Sequence, residues 1–121
     1  MGKEKEKLHV YTEAEIPAKL SQLGLDAWYV EEGWIRRKFT TDGWPTTLML
    51  VNAIGFLAEA AYHHPDLTVT YAKLWVKLQT HSHGGITDKD FALAQEIEKL
   101  ALYRPGSPLG GNPNKFVKLE K

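Results

Sequence analysis

The segment that most constrains the fold is the run from residue 46 to residue 62, TTLMLVNAIGFLAEAAY, which is apolar almost all round. A helix without a continuous polar face has to be buried on more than one side. In a chain of only 121 residues, the economical arrangement places a sheet on one side of this helix. A partner subunit would then cover the other side.

Shorter patterns predict one helix before this segment and one after it. The sequence TEAE at residues 12–15 has the form of a capping box. The apolar residues that follow it recur at helical spacing as far as Gly24, which predicts a helix over residues 13–23. Near the other end of the chain, Thr87 is placed to cap a helix over residues 88–102, whose apolar residues also form one stripe.

Two pairs of strands separate these helices. Residues 28–30 and 34–40 are aromatic and β-branched, and they flank a Glu-Glu-Gly turn. Residues 67–71 and 73–80 follow the long helix, and the second of these runs alternates apolar with polar residues. The order α-ββ-α-ββ-α predicts an α+β fold in which three helices lie on one face of a four-stranded antiparallel sheet.

The composition excludes several classes of protein. Lys plus Arg equals Asp plus Glu, 15 of each, so we expect no nucleic-acid partner, because such proteins normally carry a basic excess. The absence of cysteine excludes disulfides, thiolate metal sites and a cysteine nucleophile. No apolar run approaches the length of a membrane span.

The ends of the chain differ in composition from its middle. The N-terminus alternates lysine with glutamate and has no apolar core of a signal peptide, so we expect a cytoplasmic protein or a mature organellar one. We divide the chain into a charged N-terminal segment, 1–11, a single domain, 12–103, and a Pro/Gly-rich tail, 104–121. The composition of the tail is typical of a flexible arm that docks on a neighbour.

Four of the five histidines fall at two junctions between predicted elements. His63 and His64 end the long helix immediately before Pro65, and His81 and His83 follow the last strand. If the helix packs on the sheet, both junctions open at the same rim. Imidazole has the unperturbed pKa closest to neutral pH, and proline disfavours a helical conformation in the residue before it.

The spacing of these residues allows three interpretations. Glu59, on the same helical face as His63, and Asp90, near the start of the last helix, would orient imidazoles for general acid–base catalysis. His81 and His83, alternating at a strand end, would instead contribute to a metal site, which needs three or four converging ligands. In the third interpretation the residues are only structural, with Asp90 capping its helix. Spacing alone does not choose among them.

The residues from Glu59 to Asp90 resemble the signature of the pterin-4a-carbinolamine dehydratases. That signature is an acidic residue, three positions, His-His-Pro, an aromatic residue after five or six positions, nine positions to a histidine, and a later aspartate. Here its elements are Glu59, His63-His64-Pro65, Tyr71, Thr80-His81 and Asp90. Upstream aromatic residues, Trp28 among them, extend the resemblance to about residues 12–102.

The resemblance implies a fold, a reaction and an assembly. Members have a four-stranded antiparallel sheet with helices on one face and form homodimers or homotetramers, which would explain the apolar helix over residues 46–62. They remove water from a 4a-hydroxytetrahydropterin to give the quinonoid dihydropterin. The reaction implies a pterin substrate, no metal and no other cofactor, and it belongs to the recycling of tetrahydrobiopterin.

The resemblance also implies roles for individual residues. His63 and His81 would be the catalytic acid–base pair, and His64 would mainly hold the pterin. Five further residues are expected to contribute to substrate binding, by contacting the ring, orienting imidazoles or shaping the turn: Glu59, Pro65, Asp90, Trp28 and Thr80.

The same fold also serves as a non-enzymatic module, which leaves an alternative function. Some members stabilise a protein partner and others are linked to Rubisco assembly, so the tail after residue 103 is a candidate contact for a protein partner. Tyr62 stands where animal members have an acidic residue. His83 is outside the signature, and we expect it to be an exposed loop residue.

Overall fold

The computed structural model describes residues 7–112 and 115–119. The predicted N-terminal segment and the predicted tail therefore lie partly outside the described residues. Within the described residues the chain forms three α-helices, four strands and one short 3-10 helix. These are α1 Ile16–Gln22, β1 Tyr29–Glu31, β2 Trp34–Thr40, α2 Trp44–Ala61, β3 Asp66–Val69, β4 Lys73–Leu78, the 3-10 helix His81–His83 and α3 Asp88–Ala101.

The strands form one antiparallel sheet in the order β1-β2-β4-β3. Ile35 of β2 pairs with Leu78 of β4, and Leu67 of β3 pairs with Val76 of β4. Because β3 and β4 run in opposite directions, the residues that enter β3 and those that leave β4 lie at the same end of the sheet. Both histidine-containing junctions are at that end.

The sheet has one buried face and one more exposed face, because successive side chains of a strand alternate in direction. Ile35 and Phe39 of β2 are buried, whereas Trp34 and Lys38 on the opposite face are half-buried or exposed. The helices cover the first face with apolar side chains: Ile16, Leu20, Leu50, Ile54, Phe91, Ala94 and Ile97. The predicted α+β fold, with helices on one face of a four-stranded antiparallel sheet, is confirmed.

The β1–β2 hairpin closes through a two-residue turn. Glu32 and Gly33 both have positive φ, 52° and 81°, as a tight hairpin turn of the primed type requires. Nε2 of Gln79 donates a hydrogen bond to the carbonyl oxygen of Gly33 over 3.0 Å. The turn is therefore tied to the end of β4.

Helix α1 begins three residues later than the sequence pattern predicts. The reciprocal capping-box bonds do form: the N–H of Thr12 donates to Oε1 of Glu15 over 2.7 Å, and the N–H of Glu15 donates to Oγ1 of Thr12 over 3.3 Å. They close a turn that precedes the helix, and Pro17 occupies the first turn of the helix itself. Proline suits that position because the first helical N–H groups have no intrahelical partner.

Among the residues that the structure describes, cover for helix α2 comes from one side only. Leu50, Ile54 and Ala58 are buried against the sheet and α3, whereas Met49 is 54% exposed and Phe56 is 74% exposed. The apolar surface opposite the sheet is therefore left uncovered. In the described part of the chain, no helix has both the length and the apolar character that crossing a bilayer requires.

The last described segment of the tail lies along its own domain. The N–H of Lys118 donates to the carbonyl oxygen of Thr40 over 2.8 Å, and the N–H of Asp42 donates to that of Phe116 over 2.9 Å. Val117 is buried, and the guanidinium group of Arg104 donates to its carbonyl oxygen. Residues 115–119 thus extend the end of β2 and are not a free arm.

Candidate active site

The C-terminal cap of α2 sets the direction in which the two adjacent histidines leave the helix. Tyr62 has a left-handed backbone with φ of 49°. Its N–H donates to the carbonyl oxygen of Glu59 over 3.2 Å, and the N–H of His63 donates to that of Ala58 over 3.0 Å. These two bonds form a Schellman motif, in which the left-handed residue is usually glycine.

His63 meets Asp90 at the start of α3. Nε2 of His63 lies 2.7 Å from Oδ1 of Asp90, with the imidazole 14% exposed and the carboxyl group fully buried. An ionised carboxylate only accepts hydrogen bonds, so with Asp90 ionised Nε2 carries the hydrogen. Nδ1 is then the nitrogen left to exchange a proton, and Asp90 determines both the tautomer and the orientation of the ring.

Two threonines hold the other oxygen of Asp90. The hydroxyl of Thr80 donates to Oδ2 over 2.6 Å, and the N–H of Thr87 donates to it over 2.9 Å. The two threonine hydroxyl oxygens are 2.8 Å apart. Since the single hydroxyl hydrogen of Thr80 points to Asp90, Thr87 is the donor in that contact. Asp90 is therefore both the capping-box residue of α3 and the partner of His63.

His64 has a different and more exposed partner. Its Nε2 lies 2.8 Å from Oε1 of Glu59, and the two side chains are 53% and 76% exposed. The four-residue spacing placed Glu59 on the face of His63, but α2 ends before that histidine, so helical spacing does not extend to it. The Tyr62 ring packs edge-on against the His64 ring, with centroids 5.4 Å apart. Pro65 follows and leads into β3.

His81 is an exposed residue at the start of the 3-10 helix, one position after Thr80. Because Thr80 and His63 both bond to Asp90, the two junctions lie side by side at one end of the sheet. The His81 ring packs edge-on against Trp34, with centroids 5.5 Å apart and an interplanar angle of 74°.

His83 is half-buried, and the prediction of an exposed loop residue is wrong. It ends the same 3-10 helix, and its Nδ1 lies 2.8 Å from the hydroxyl oxygen of Ser82. Across residues 7–112 and 115–119, no group of three or more His, Asp and Glu side chains converges in an arrangement that would hold a metal ion.

A surface cavity of about 240 Å³ opens beside His63. The last residue of α2, Ala61, forms one side of it, and the first turns of α3, including Lys89 and Leu93, form the other. Small-molecule sites in proteins combine such apolar walls with a few polar groups that fix the orientation of the ligand.

Trp28 occupies a different part of the molecule. It is buried, and with residues of α1 and β1 it lines a separate cavity of about 350 Å³. Its indole N–H donates to Oε1 of Glu98 over 2.8 Å, and Arg37 binds both oxygens of the same carboxylate over 3.0 and 2.9 Å. Trp28 precedes β1, the sheet edge opposite β3, and its predicted contact with substrate stays a prediction.

Comparison with known proteins gives the family. A sequence model of the family described as pterin 4 alpha carbinolamine dehydratase matches residues 9–100. The chain belongs to this family.

Two relatives in this dehydratase family come from different organisms. The chain is 45% identical to a protein of Aquifex aeolicus over 74% of its own length and 88% of the relative. It is 42% identical to a protein of Chloroflexus aurantiacus, with 74% and 94% covered. Both names assign those proteins provisionally to pterin-4-alpha-carbinolamine dehydratase.

A solved structure gives the same fold. The crystal structure of a transcriptional coactivator/pterin dehydratase from Brucella melitensis superposes with a TM-score of 0.69 at 28% identity. The match covers 77% of this chain and 99% of that one.

Two contacts beside the site in this family member do not follow from the sequence pattern. The three-residue spacing of Thr87 and Asp90 predicts the capping bond between them, but not the contact of Thr87 with Thr80. Alternation along the predicted strand places Trp34 on the same face as Arg36 and Lys38. No local signal links Trp34 to His81, because their contact depends on how β2 pairs with β4.

Proposed function

We propose that the chain dehydrates a 4a-hydroxytetrahydropterin to the quinonoid dihydropterin by histidine general acid–base catalysis. The observation that carries this proposal is the buried carboxylate of Asp90. It lies 2.7 Å from His63 and accepts a hydrogen bond from Thr80, the residue before His81. The family and the names of the relatives support the same reaction and the same class of substrate.

The reaction needs one proton delivered and one proton removed. The C4a–O bond breaks, and the hydroxyl group leaves as water after it receives a proton. A base takes the proton from N5, and the electron pair of that N–H bond forms the double bond between N5 and C4a. No electrons are gained or lost overall, so the balance requires no cofactor. We assign the two proton transfers to His63 and His81, because imidazole is suited to both roles near neutral pH.

The remaining predicted residues divide by exposure. His64 and Glu59 are exposed beside the junction, and we assign them to binding the polar edge of the pterin. Thr80 and Asp90 are buried, so we assign them to positioning His63 rather than to touching the substrate. Pro65 is half-buried and constrains the turn that follows His64.

The test is stopped-flow absorbance of 4a-hydroxytetrahydropterin decay in the presence of the protein. We expect wild type to accelerate the decay, and a His63→Ala/His81→Ala double variant to lose about 100-fold or more of that acceleration. A matched control is His9→Ala, since His9 is an exposed histidine that contacts Glu15 and Tyr11. The control variant should keep the wild-type rate.

Two results would contradict the proposal. One is a folded wild-type protein that leaves the uncatalysed rate unchanged. The other is a double variant that retains full activity, which would assign the chemistry to other residues. Circular dichroism and thermal unfolding of each variant show that a loss of rate is not a loss of fold.

We also propose that the chain forms a homo-oligomer through α2. The uncovered side of the helix carries Met49 and Phe56, and exposed apolar patches commonly mark association surfaces. Light scattering after size exclusion should show a dimer or tetramer that Phe56→Lys dissociates. Leu109→Lys, a change at a 77% exposed residue of the tail, should leave the assembly intact. An unchanged mass for Phe56→Lys would exclude this surface.

A protein-binding role is the second candidate function, since the Brucella melitensis structure is described as a coactivator as well as a dehydratase. The same exposed face of α2 would serve it. A wild-type protein without dehydratase activity but with an intact fold would favour this role. A cytoplasmic location and a place in pterin recycling remain predictions.

A further inference from the structure

We infer that Trp34 is a positioning residue for His81, holding its imidazole in the orientation that proton transfer needs. This inference rests on the proposed function, in which His81 is one of the two proton-transfer groups. Trp34 lies upstream of the Glu59–Asp90 signature, and its role follows from the tertiary contact between the first residue of β2 and the start of the 3-10 helix.

The three histidines of the site are held in different ways. His63 is bonded to Asp90, and His64 is bonded to Glu59. Among the described residues, none forms a hydrogen bond or an ion pair with the His81 ring. The His81 ring packs edge-on against Trp34 instead. An exposed imidazole without such a contact would sample several rotamers.

Trp34 is itself well fixed on the sheet. It is the first residue of β2 and pairs with Glu31 across the hairpin. The preceding residue, Gly33, accepts a hydrogen bond from the side chain of Gln79 over 3.0 Å. Nζ of Lys77 lies 4.5 Å from the centroid of the indole ring, a cation–π contact that holds the ring against the sheet.

The packing of a fixed indole against an exposed imidazole has a direct consequence for the reaction. Edge-to-face packing of aromatic rings is attractive and directional, so Trp34 restricts the orientation of His81. A proton-transfer group that is displaced by about 1 Å reacts far more slowly even when the substrate still binds. Loss of the contact should therefore lower kcat and leave KM nearly unchanged.

The experiment compares three variants of the full-length protein. Trp34→Leu removes the ring and should lower kcat about 10-fold to 100-fold, with KM changed by less than about 3-fold. Trp34→Phe keeps an aromatic ring at this position and should retain kcat within about 3-fold of wild type. Trp75→Leu is the matched control, because Trp75 is half-buried on the same face of the sheet, in β4, and should leave kcat unchanged.

A spectroscopic measurement tests the contact without relying on activity. The Hε1 resonance of His81, assigned by its disappearance in His81→Gln, should be shifted by the ring current of Trp34. That shift should vanish in Trp34→Leu and persist in Trp75→Leu. If wild type is inactive, the proposed function fails, and this resonance still shows whether Trp34 holds the ring.

Several results would overturn the inference. In an active enzyme, an unchanged kcat for Trp34→Leu would overturn it, and so would an equal loss of kcat for Trp75→Leu. A rise in KM at constant kcat for Trp34→Leu would overturn it too, because it would make Trp34 a substrate contact. A His81 resonance that does not move in Trp34→Leu overturns it in an active or an inactive protein.

Discussion

The hydroxyl of Thr80 donates a hydrogen bond to Oδ2 of Asp90 over 2.6 Å, in a fully buried environment. This bond joins the end of β4 to the first turn of α3, and the same carboxylate holds His63 with its other oxygen. One buried side chain therefore links the sheet, a helix cap and the candidate catalytic histidine.

Thr80→Val removes this donor while keeping the shape of the side chain. We expect the free energy of unfolding to fall by about 1–3 kcal/mol, because Asp90 loses a partner and the hydroxyl of Thr87 loses its acceptor in a buried site. Urea denaturation measures the change. Thr80→Ser keeps the hydroxyl and should lose clearly less stability. Equal losses of unfolding free energy in the two variants would assign the effect to packing.

Asp90→Asn tests the partner of His63. An amide presents both an acceptor and a donor, so it no longer specifies the tautomer of the imidazole, and we expect kcat to fall about 100-fold. Asp88→Asn is the matched control on the same turn of α3, since Asp88 is exposed and accepts a bond from the hydroxyl of Tyr11. Similar rates for the two variants would remove Asp90 from the mechanism.

The buried ion pair of Arg37 and Glu98 should contribute to stability rather than to activity. Arg37 is 5% exposed and Glu98 is 20% exposed, so Glu98→Gln leaves a buried guanidinium without its charge partner. We expect the free energy of unfolding to fall by about 3 kcal/mol.

Glu96→Gln is the control for that prediction, because Glu96 lies on the same helix in an exposed pair with Lys99. It should change stability by less than about 0.5 kcal/mol. Thermal or urea unfolding gives both values. A Glu98→Gln variant as stable as the control would show that the pair contributes no net stability.

Acid should weaken the docking of the tail. Hydrogen bonds from the Thr46 side chain and the N–H of Phe116, together with the Lys115 ammonium, hold the pKa of Asp42 below its ordinary value of 3.8. A carboxyl group whose pKa is lower in the folded state contributes stability above its unfolded pKa, and that contribution is lost as the pH falls through the folded pKa.

Amide exchange of Lys118 should therefore quicken as the pH falls below about 4, relative to the intrinsic exchange rate. The amide of Val76, in the central strand β4, reports global unfolding and should stay protected over the same range. In Asp42→Asn the extra pH dependence of Lys118 should be absent. Identical protection of Lys118 in wild type and variant would show that Asp42 does not hold the tail.

Local patterns in the sequence determined the elements and the chemistry of the candidate site. Aromatic and β-branched runs around a Glu-Glu-Gly turn identified the first pair of strands. Alternation of apolar with polar residues identified the last strand, because a half-buried strand repeats every two residues. The Thr87-to-Asp90 spacing predicted the cap of α3, and a capping box is a local arrangement that needs no tertiary contact. The signature around His-His-Pro identified the correct family, because it combines several residue types at fixed spacings.

Other features depended on contacts between distant parts of the chain. Helical spacing predicts that Glu59 lies on the same face as His63. The left-handed backbone of Tyr62 turns the chain, and Glu59 pairs with His64 instead. The composition of the tail predicts a flexible arm that docks on a neighbour, but its last described residues bond to the end of β2 in the same chain. Neither outcome follows from helical spacing or from composition.

The sequence by itself determined which residues have side chains suited to acid–base chemistry and which elements contain them. Only the tertiary structure decided how each histidine is held: His63 by Asp90, His64 by Glu59 and His81 by Trp34. The physical reason is that side-chain type and local periodicity act over a few residues. The orientation of an imidazole depends instead on a side chain that is distant in the sequence. The packing of sheet and helices brings that side chain within hydrogen-bond or ring-contact distance of the imidazole.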